Sequence, residues 1–454
     1  MDNVRLTILG GGGFRVPLVH QAVLDARDRV PVTEVVLHDD DPARLDVMAT
    51  VLSRLGSDRV DGPAVRATAD LDDAVAGADV IFSAIRVGGT AGRTRDERVA
   101  LAEGVLGQET VGPGGLAYAL RTVPVVDRIA DRISQLAPSA WTISFTNPAS
   151  IVTEAMQARL GDRVVGICDT PISLVRRALR VVGRDARAFD AGEVEVDYAG
   201  LNHLGWLQGL RSGGEDLLPD LLADDSTLAG LEEARLMGTD WVRTLGALPN
   251  EYVYYYDFTR EALAALAASE QTRGEYLQAQ QGGFYARAAA EPGRVLELWR
   301  EALAEREATY MATERESARA GERAEEDLGG GYHEVAVDLM AALLGGEEHR
   351  MILDVANHGS DGRPLVDGLP PDAVVEVPVL ADGRGIHPLT PRRPLTPAML
   401  ARVQAVKASE RLVIEAARTA DAQTAWQAFA FHPLVDSAAV ARRLVHRYLA
   451  ERRP

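Results

Sequence analysis

Short apolar runs alternate along the first 190 positions with stretches whose apolar residues recur every three or four positions. VRLTIL, Val4 to Leu9, reads as a buried strand, and PLVHQAVLDARD from Pro17 as a helix. A strand at Glu34 to Leu37, a helix at Pro42 to Leu55, a strand at Ala64 to Thr68, a short helix near Leu71 to Ala76 and a strand at Val80 to Ala84 follow. Beyond them come a helix near Leu116 to Leu136, a strand from Trp141 to Phe145, a helix from Ala149 to Leu160 and a strand from Val164 to Ile167. Strands separated by helices predict right-handed βαβ units and a doubly wound, Rossmann-like parallel sheet.

The texture changes after about Asp190. Glu193 to Tyr198 alternates as a strand with one exposed face does, Leu217 to Arg323 is mostly helical, Ala373 to Leu380 reads as a late strand, and the chain is helical again from Pro397. With 454 residues the chain exceeds what one core organises. The expected division is an α/β nucleotide-binding unit, 1–190, followed by an α+β, largely helical unit, 191–454, for substrate, metal and oligomerisation. The charged, glycine-rich stretch Ala320 to Gly331 is expected to be a mobile loop.

The formal net charge of −19 disfavours nucleic acid and anionic membranes as partners. No apolar run approaches the ~20 residues of a membrane span. One cysteine excludes an internal disulfide framework, and MDNVRLTILGGGG enters a strand with no signal-peptide pattern, so a cytoplasmic protein is expected.

Gly10, Gly11, Gly12 and Gly13 follow the first strand and open into a helix, where a dinucleotide pyrophosphate could approach the backbone. Gly10 and Gly12 fit the first two positions of the fingerprint, while Arg15 stands where its third glycine is expected. Asp39, ending the second strand, suits an adenosine ribose and favours NAD over NADP. A plain tight turn followed by a solvated acid would read the same way.

The single cysteine, Cys168, falls just past the carboxyl end of a predicted parallel strand, the edge at which open α/β sheets bind ligands. An inert thiol, a nucleophile, a redox partner and a metal ligand all fit that position. With His203 of GLNHL it would make a soft pair for a divalent ion, leaving positions open for substrate oxygens. The stretch Arg86 to Gly115 and SFTNPAS, with Asn147, read as polar strand-end loops beside it. Arg86, Arg93, Arg95, Arg98 and Arg121 would suit an anionic substrate, although any one of them could be a solvated partner of Asp96 or Glu97.

Taken together, ILGGGG, RVGG, the run from Arg93 through GQETVGPGG, FTNPAS, GICDTP, DYAGLNHLGW, PNEYVYYY, ANHG and GLPPDAVVEVP resemble glycoside hydrolase family 4, in order along nearly the whole chain. The resemblance implies a lactate/malate dehydrogenase-like fold and hydrolysis of glycosides with NAD and a divalent metal, an exception to paired-carboxylate glycosidases. It implies oxidation of the sugar at C3, removal of the acidified C2 proton, loss of the aglycone, water addition and return of the hydride, with manganese as Lewis acid. Matched by residue, Cys168 and His203 would hold the metal, Tyr252 would accept the proton and Glu109 would raise its basicity. Arg93, Asn147 and Arg273 would contact substrate, and Asp169 would donate a proton to the leaving group. The expected substrate is a 6-phospho-β-glucoside. Asp169 is more usual in 6-phospho-α-glucosidases, and an unphosphorylated galactoside or glucuronide is a further alternative; Arg15 is a candidate for the 6-phosphate. A 2-hydroxy acid dehydrogenase or a sugar-phosphate sensor would be a different class of answer. Members of the family usually form homodimers or homotetramers.

Overall fold

β1 (Val4–Leu9) and β4 (Val80–Ser83) are apolar along almost their whole length because both faces of their sheet are covered, as parallel sheets require. The computed structural model describes residues 3–57, 59, 62–309 and 331–450; the loop expected at 320–331 lies outside these except for its last residue. β1 lies between β4 and β2 (Val32–His38); β3 (Ala64–Thr68) flanks β2, while β5 (Trp141–Ser144) and β6 (Val164–Gly166) extend the sheet beyond β4, all parallel. This order, 3-2-1-4-5-6, is that of dinucleotide-binding sheets, with its switch point between β1 and β4.

The sheet does not stop at β6. β7 (Val194–Leu201), β8 (Leu204–Ser212), β9 (Glu215–Asp216), β10 (Leu248–Pro249), β11 (His349–Ala356), β12 (Val374–Asp382) and β13 (Gly385–Pro388) add an antiparallel half. β11 meets β6 at Asp354↔Gly166, and β12 joins β11 to β7, with Asp354↔Glu376 and Glu376↔Gly200 in register. The central apolar core passes through both halves.

Helices α1 (Val16–Asp25), α2 (Pro42–Leu55), α3 (Leu71–Val75), α4 (Gly89–Ala102), α5 (Gly112–Leu136), α6 (Ala149–Leu160) and α7 (Thr170–Val181) connect the parallel half. α4 corrects the expectation of a strand-end loop through Arg86 to Gly115. Its inward face carries Thr90, Gly92, Asp96 and Glu97 beside Val99 and Ala100, so no apolar period announces it. The buried Asp96 is paid for by Arg121, whose guanidinium lies 2.5 Å away and can approach because Gly92 has no side chain. The helices Pro397–Thr419, Ala422–Phe431 and Ala438–Ala450 share a second core with α5 and α6. Arg273–Ala290 and Val295–Ala308 pack over Phe14 and α2.

Candidate active site

Each glycine of the turn after β1 is needed for close approach. Gly10 has φ +83°, and a Cβ there would lie 2.6 Å from the Ala84 carbonyl oxygen; Cβ atoms on Gly11, Gly12 and Gly13 would stand 2.8–2.9 Å from Leu37, Asp39 and the Gly10 oxygen. Asp39 accepts from the Gly12 amide at 2.9 Å and from the Asp41 amide at 3.0 Å, so its carboxylate first shapes the turn. Burial nevertheless leaves its pKa above the ordinary value, against the pull of those two amides. Three aromatic donors from distant helices hold the outer carbonyls: Tyr285 on Gly12 at 2.6 Å, Trp299 on Phe14 at 2.9 Å and Tyr332 on Arg15 at 3.0 Å. Nothing in the local sequence pointed to these donors.

Most of the other candidates line one cavity of about 610 Å³: Arg15, Arg86, Arg93, Glu109, Asn147, Cys168, Asp169, His203, Tyr252 and Arg273 all face it, while Gly10 to Gly13 and Asp39 lie outside its lining. Strand ends bring them together. Asn147 stands between β5 and α6, Cys168 two residues past β6, Asp169 at the N-cap of α7, and His203 in the two-residue turn joining β7 to β8.

Cys168 Sγ lies 3.7 Å from His203 Nε2 and 3.2 Å from Thr170 Oγ1, which in turn accepts from Asn250 Nδ2 at 2.9 Å. On the other side of the ring His203 Nδ1 is 2.9 Å from Thr110 Oγ1, whose hydroxyl also reaches Gln108 Oε1 at 3.1 Å. When that hydroxyl donates to Gln108 its lone pair faces Nδ1, which then carries the ring proton and leaves Nε2 a lone pair toward the sulfur. Burial pushes the His203 pKa down to about 3, so the imidazole is neutral, as a metal ligand must be. Burial, and then the charges of Asp169 and Glu376, raise the thiol well above its usual value, so an ion would have to displace its proton. The 3.7 Å separation suits a shared ion, given bond lengths of ~2.0–2.3 Å to nitrogen and sulfur. Among the described residues no group of three or more His, Cys, Asp or Glu side chains forms a complete ligand set, so remaining positions would fall to substrate or water. His203 has φ +64°, unusual for a residue with a side chain, and its ring stacks on Tyr252 with centroids 3.7 Å apart and planes at 12°.

Glu109 is ion-paired with Arg86 and Arg93, and Arg93 also bridges Glu97 at 2.7 Å. Burial alone would raise the Glu109 pKa, but the two guanidinium groups outweigh it and hold it at about 2. Glu109 therefore anchors Arg93, whose charge acts on Tyr252. Asp169 leaves α7 without a side-chain cap and keeps its carboxylate on the cavity.

Further cations line the cavity. Arg273 donates to Thr309 Oγ1 at 2.8 Å and the Arg306 carbonyl at 3.2 Å, and Arg15 lies 4.4 Å from the centre of the Tyr332 ring, which stacks on Phe145. Arg306, which no motif singled out, joins them. Burial, together with the repulsion of Arg15, Arg273, Arg93 and Arg86, lowers its pKa to about 9. So many guanidinium groups beside one cavity make an anion site within an acidic protein.

Residues 5–183 match the model of the family 4 glycosyl hydrolase and residues 198–435 that of the family 4 glycosyl hydrolase C-terminal domain. The chain is 28% identical to the maltose-6'-phosphate glucosidase of Bacillus subtilis, over 97% of this chain and 94% of that one. It is 27% identical to the 6-phospho-beta-glucosidase BglT of Thermotoga maritima, over 99% of each. A solved structure of the Thermotoga maritima 6-phospho-beta glucosidase with NAD and glucose-6-phosphate is 26% identical, covers 99% of this chain and 98% of its own, and superposes with a TM-score of 0.80. The parallel sheet, the antiparallel extension and the sequence of both halves place this chain in family 4 of the glycosyl hydrolases.

Proposed function

We propose that this chain hydrolyses 6-phosphoglucosides using NAD and a divalent metal ion, with the β anomer as its first substrate. The observation that carries the reading is the cavity itself: the Cys168–His203 pair, Tyr252 and the arginine cluster all line it. Relatives of both anomeric classes, and a neighbour solved with NAD and glucose-6-phosphate, support the same substrate class.

When bound, NAD supplies a hydride acceptor and the metal a Lewis acid beside the sugar hydroxyls. Gly10 to Gly13 give the pyrophosphate a side-chain-free approach, and Cys168 and His203 hold the ion. Arg15, Arg273 and Arg306 orient the 6-phosphate, for which guanidinium forks are suited. Tyr252, fixed by its stack on His203 and within reach of the Arg93 charge, takes the C2 proton. Glu109 keeps Arg93 in place, and Asn147, on the cavity lining, bonds a sugar hydroxyl.

A second reading, the α anomer, is favoured by Asp169, whose uncapped carboxylate faces the cavity and could protonate the leaving oxygen. The test sets p-nitrophenyl 6-phospho-β-glucoside beside its α anomer and the unphosphorylated β-glucoside, with NAD, Mn²⁺ and reductant present. Release from the β-phosphate alone supports the first reading. Release from the α-phosphate that disappears in Asp169→Asn supports the second. Release from the unphosphorylated sugar alone, or steady NADH formation from a 2-hydroxy acid, rejects both.

A further inference from the structure

One row of the sheet runs Gly166 of β6, Asp354 of β11, Glu376 of β12 and Gly200 of β7. Its outer strands lead directly to the two candidate metal ligands, Cys168 and His203. The two central residues are carboxylic acids, each 1% exposed. Gly166 makes room for one of them, since a Cβ there would stand 2.7 Å from Asp354 Oδ2.

Glu376 is engaged on both oxygens. Oε2 accepts from the Tyr198 hydroxyl at 2.8 Å and Oε1 from Asn202 Nδ2 at 3.1 Å. These donors bracket the end of β7, and Asn202 is joined by one peptide bond to His203. Gly205, the second residue of β8, permits the arrangement, because a Cβ there would overlap the Tyr198 hydroxyl. A histidine held at φ +64° carries a strain of order ~1 kcal/mol and persists where its surroundings over-determine the turn. Glu376 supplies that over-determination from beneath, as Thr110 does from the ring.

We propose that Glu376 is a positioning residue for the metal site: by tying Tyr198 to Asn202 it fixes the left-handed turn that aims His203 at Cys168. The inference rests on the reading of Cys168 and His203 as metal ligands. Glu376 makes no hydrogen bond to either, so its positioning action passes through the backbone of the turn, apart from the effect of its charge on the Cys168 thiol. Partners behind a metal ligand commonly govern affinity in this way.

The test is titration of Mn²⁺ into the full chain saturated with NAD, free ion being followed by electron paramagnetic resonance, with NAD affinity and thermal midpoint measured for each variant. Glu376→Ala is expected to weaken Mn²⁺ binding by about 10- to 100-fold with NAD affinity unchanged. Glu376→Gln, which can still accept from Asn202 and donate to the Tyr198 oxygen, is expected to stay within about threefold of the parent. Tyr198→Phe removes one donor, is expected to fall between the two, and decides the matter if the alanine variant does not fold. Folded Glu376→Ala or Tyr198→Phe protein that binds Mn²⁺ as the parent does overturns the proposal, and so does an equal loss of Mn²⁺ and NAD affinity. His203→Ala separates the underlying reading: if it binds Mn²⁺ as tightly as the parent, the metal assignment itself is wrong.

Discussion

The glycine turn after β1 and the cavity around Cys168 and His203 both lie at carboxyl ends of strands in one sheet, yet they are made from different materials. The turn is backbone from a single stretch, Gly10 to Gly13, shaped by Asp39 and by carbonyls that Tyr285, Trp299 and Tyr332 hold from outside. The cavity is side chains delivered separately: Arg93 from α4, Cys168 from the end of β6, His203 from the β7–β8 turn, Tyr252 from the turn at Glu251–Val253 and Arg306 from the helix Val295–Ala308. A backbone site tolerates little added volume but asks nothing of side-chain chemistry. A side-chain site depends on each functional group and on the sheet register that aligns its loops. Damage should therefore remain largely confined to one region or the other.

The sharpest break comes from the side-chain site. Tyr252→Phe is expected to lower kcat by about 10²- to 10⁴-fold, the usual worth of a general base, while Mn²⁺ and NAD affinities stay near those of the parent. Retained turnover would remove Tyr252 from the proton step. The corresponding break of the backbone site is Gly10→Ala. A left-handed φ costs a side-chain residue about 1–2 kcal/mol, and overlap with the Ala84 carbonyl adds about 1–3 kcal/mol. The expected outcome is a lower thermal midpoint and weaker NAD binding with Mn²⁺ affinity preserved, measured by calorimetric titration of each ligand. A parallel loss of both would show that the two regions are not independent.

A smaller effect sharpens the contrast within the cavity. Arg306→Ala should raise KM for a 6-phosphorylated glucoside by about 10- to 100-fold, the equivalent of one charge-assisted contact of about 1.5–3 kcal/mol. Inhibition by inorganic phosphate should weaken in step, and kcat should change less than KM. An unchanged KM would place the phosphate elsewhere, and the same measurement on Arg15→Ala would then show which arginine carries it.

The difference in materials also explains what could be read from the residues alone. The parallel half is announced by local pattern, since each strand is an apolar run and each βα connection ends in glycine or a polar cluster. Cys168, His203, Arg93 and Asn147 stand out from their strand-end and polar segments, whereas Tyr252, one of four tyrosines in a short stretch, is singled out only by the family resemblance; all five face one cavity. Arg306 was not, because it stands among many arginines of a solvated Ala/Glu/Arg helix and only tertiary packing turns it inward. α4 was missed because its buried face is polar, serving Arg93 and Arg121 rather than the apolar core. Glu376 sits in an apolar strand that reads simply as core, and its use depends on pairing with β7 nearly 180 positions away. The position of Asp39 at the strand end suits a ribose, and nothing local shows that it also holds the Gly12 amide.

The smallest expected effect tests whether the backbone site needs its distant aromatic donors. Tyr285 reaches the Gly12 carbonyl across a helix that otherwise packs on Phe14 and α2, and its ring also carries the guanidinium of Arg44 at 4.6 Å. Tyr285→Phe keeps the ring and removes only the hydroxyl, leaving the Gly12 oxygen without that donor. One neutral hydrogen bond contributes about 1 kcal/mol, so NAD should bind about fivefold more weakly. Because the lost bond lies on the outer side of the turn, KM for the phosphorylated sugar and Mn²⁺ affinity should not move. NAD affinity equal to that of the parent would show that Asp39 and the glycine contacts alone hold the turn. A loss much larger than fivefold would show that the carbonyl clamp, rather than the glycines, sets the conformation that the cofactor meets.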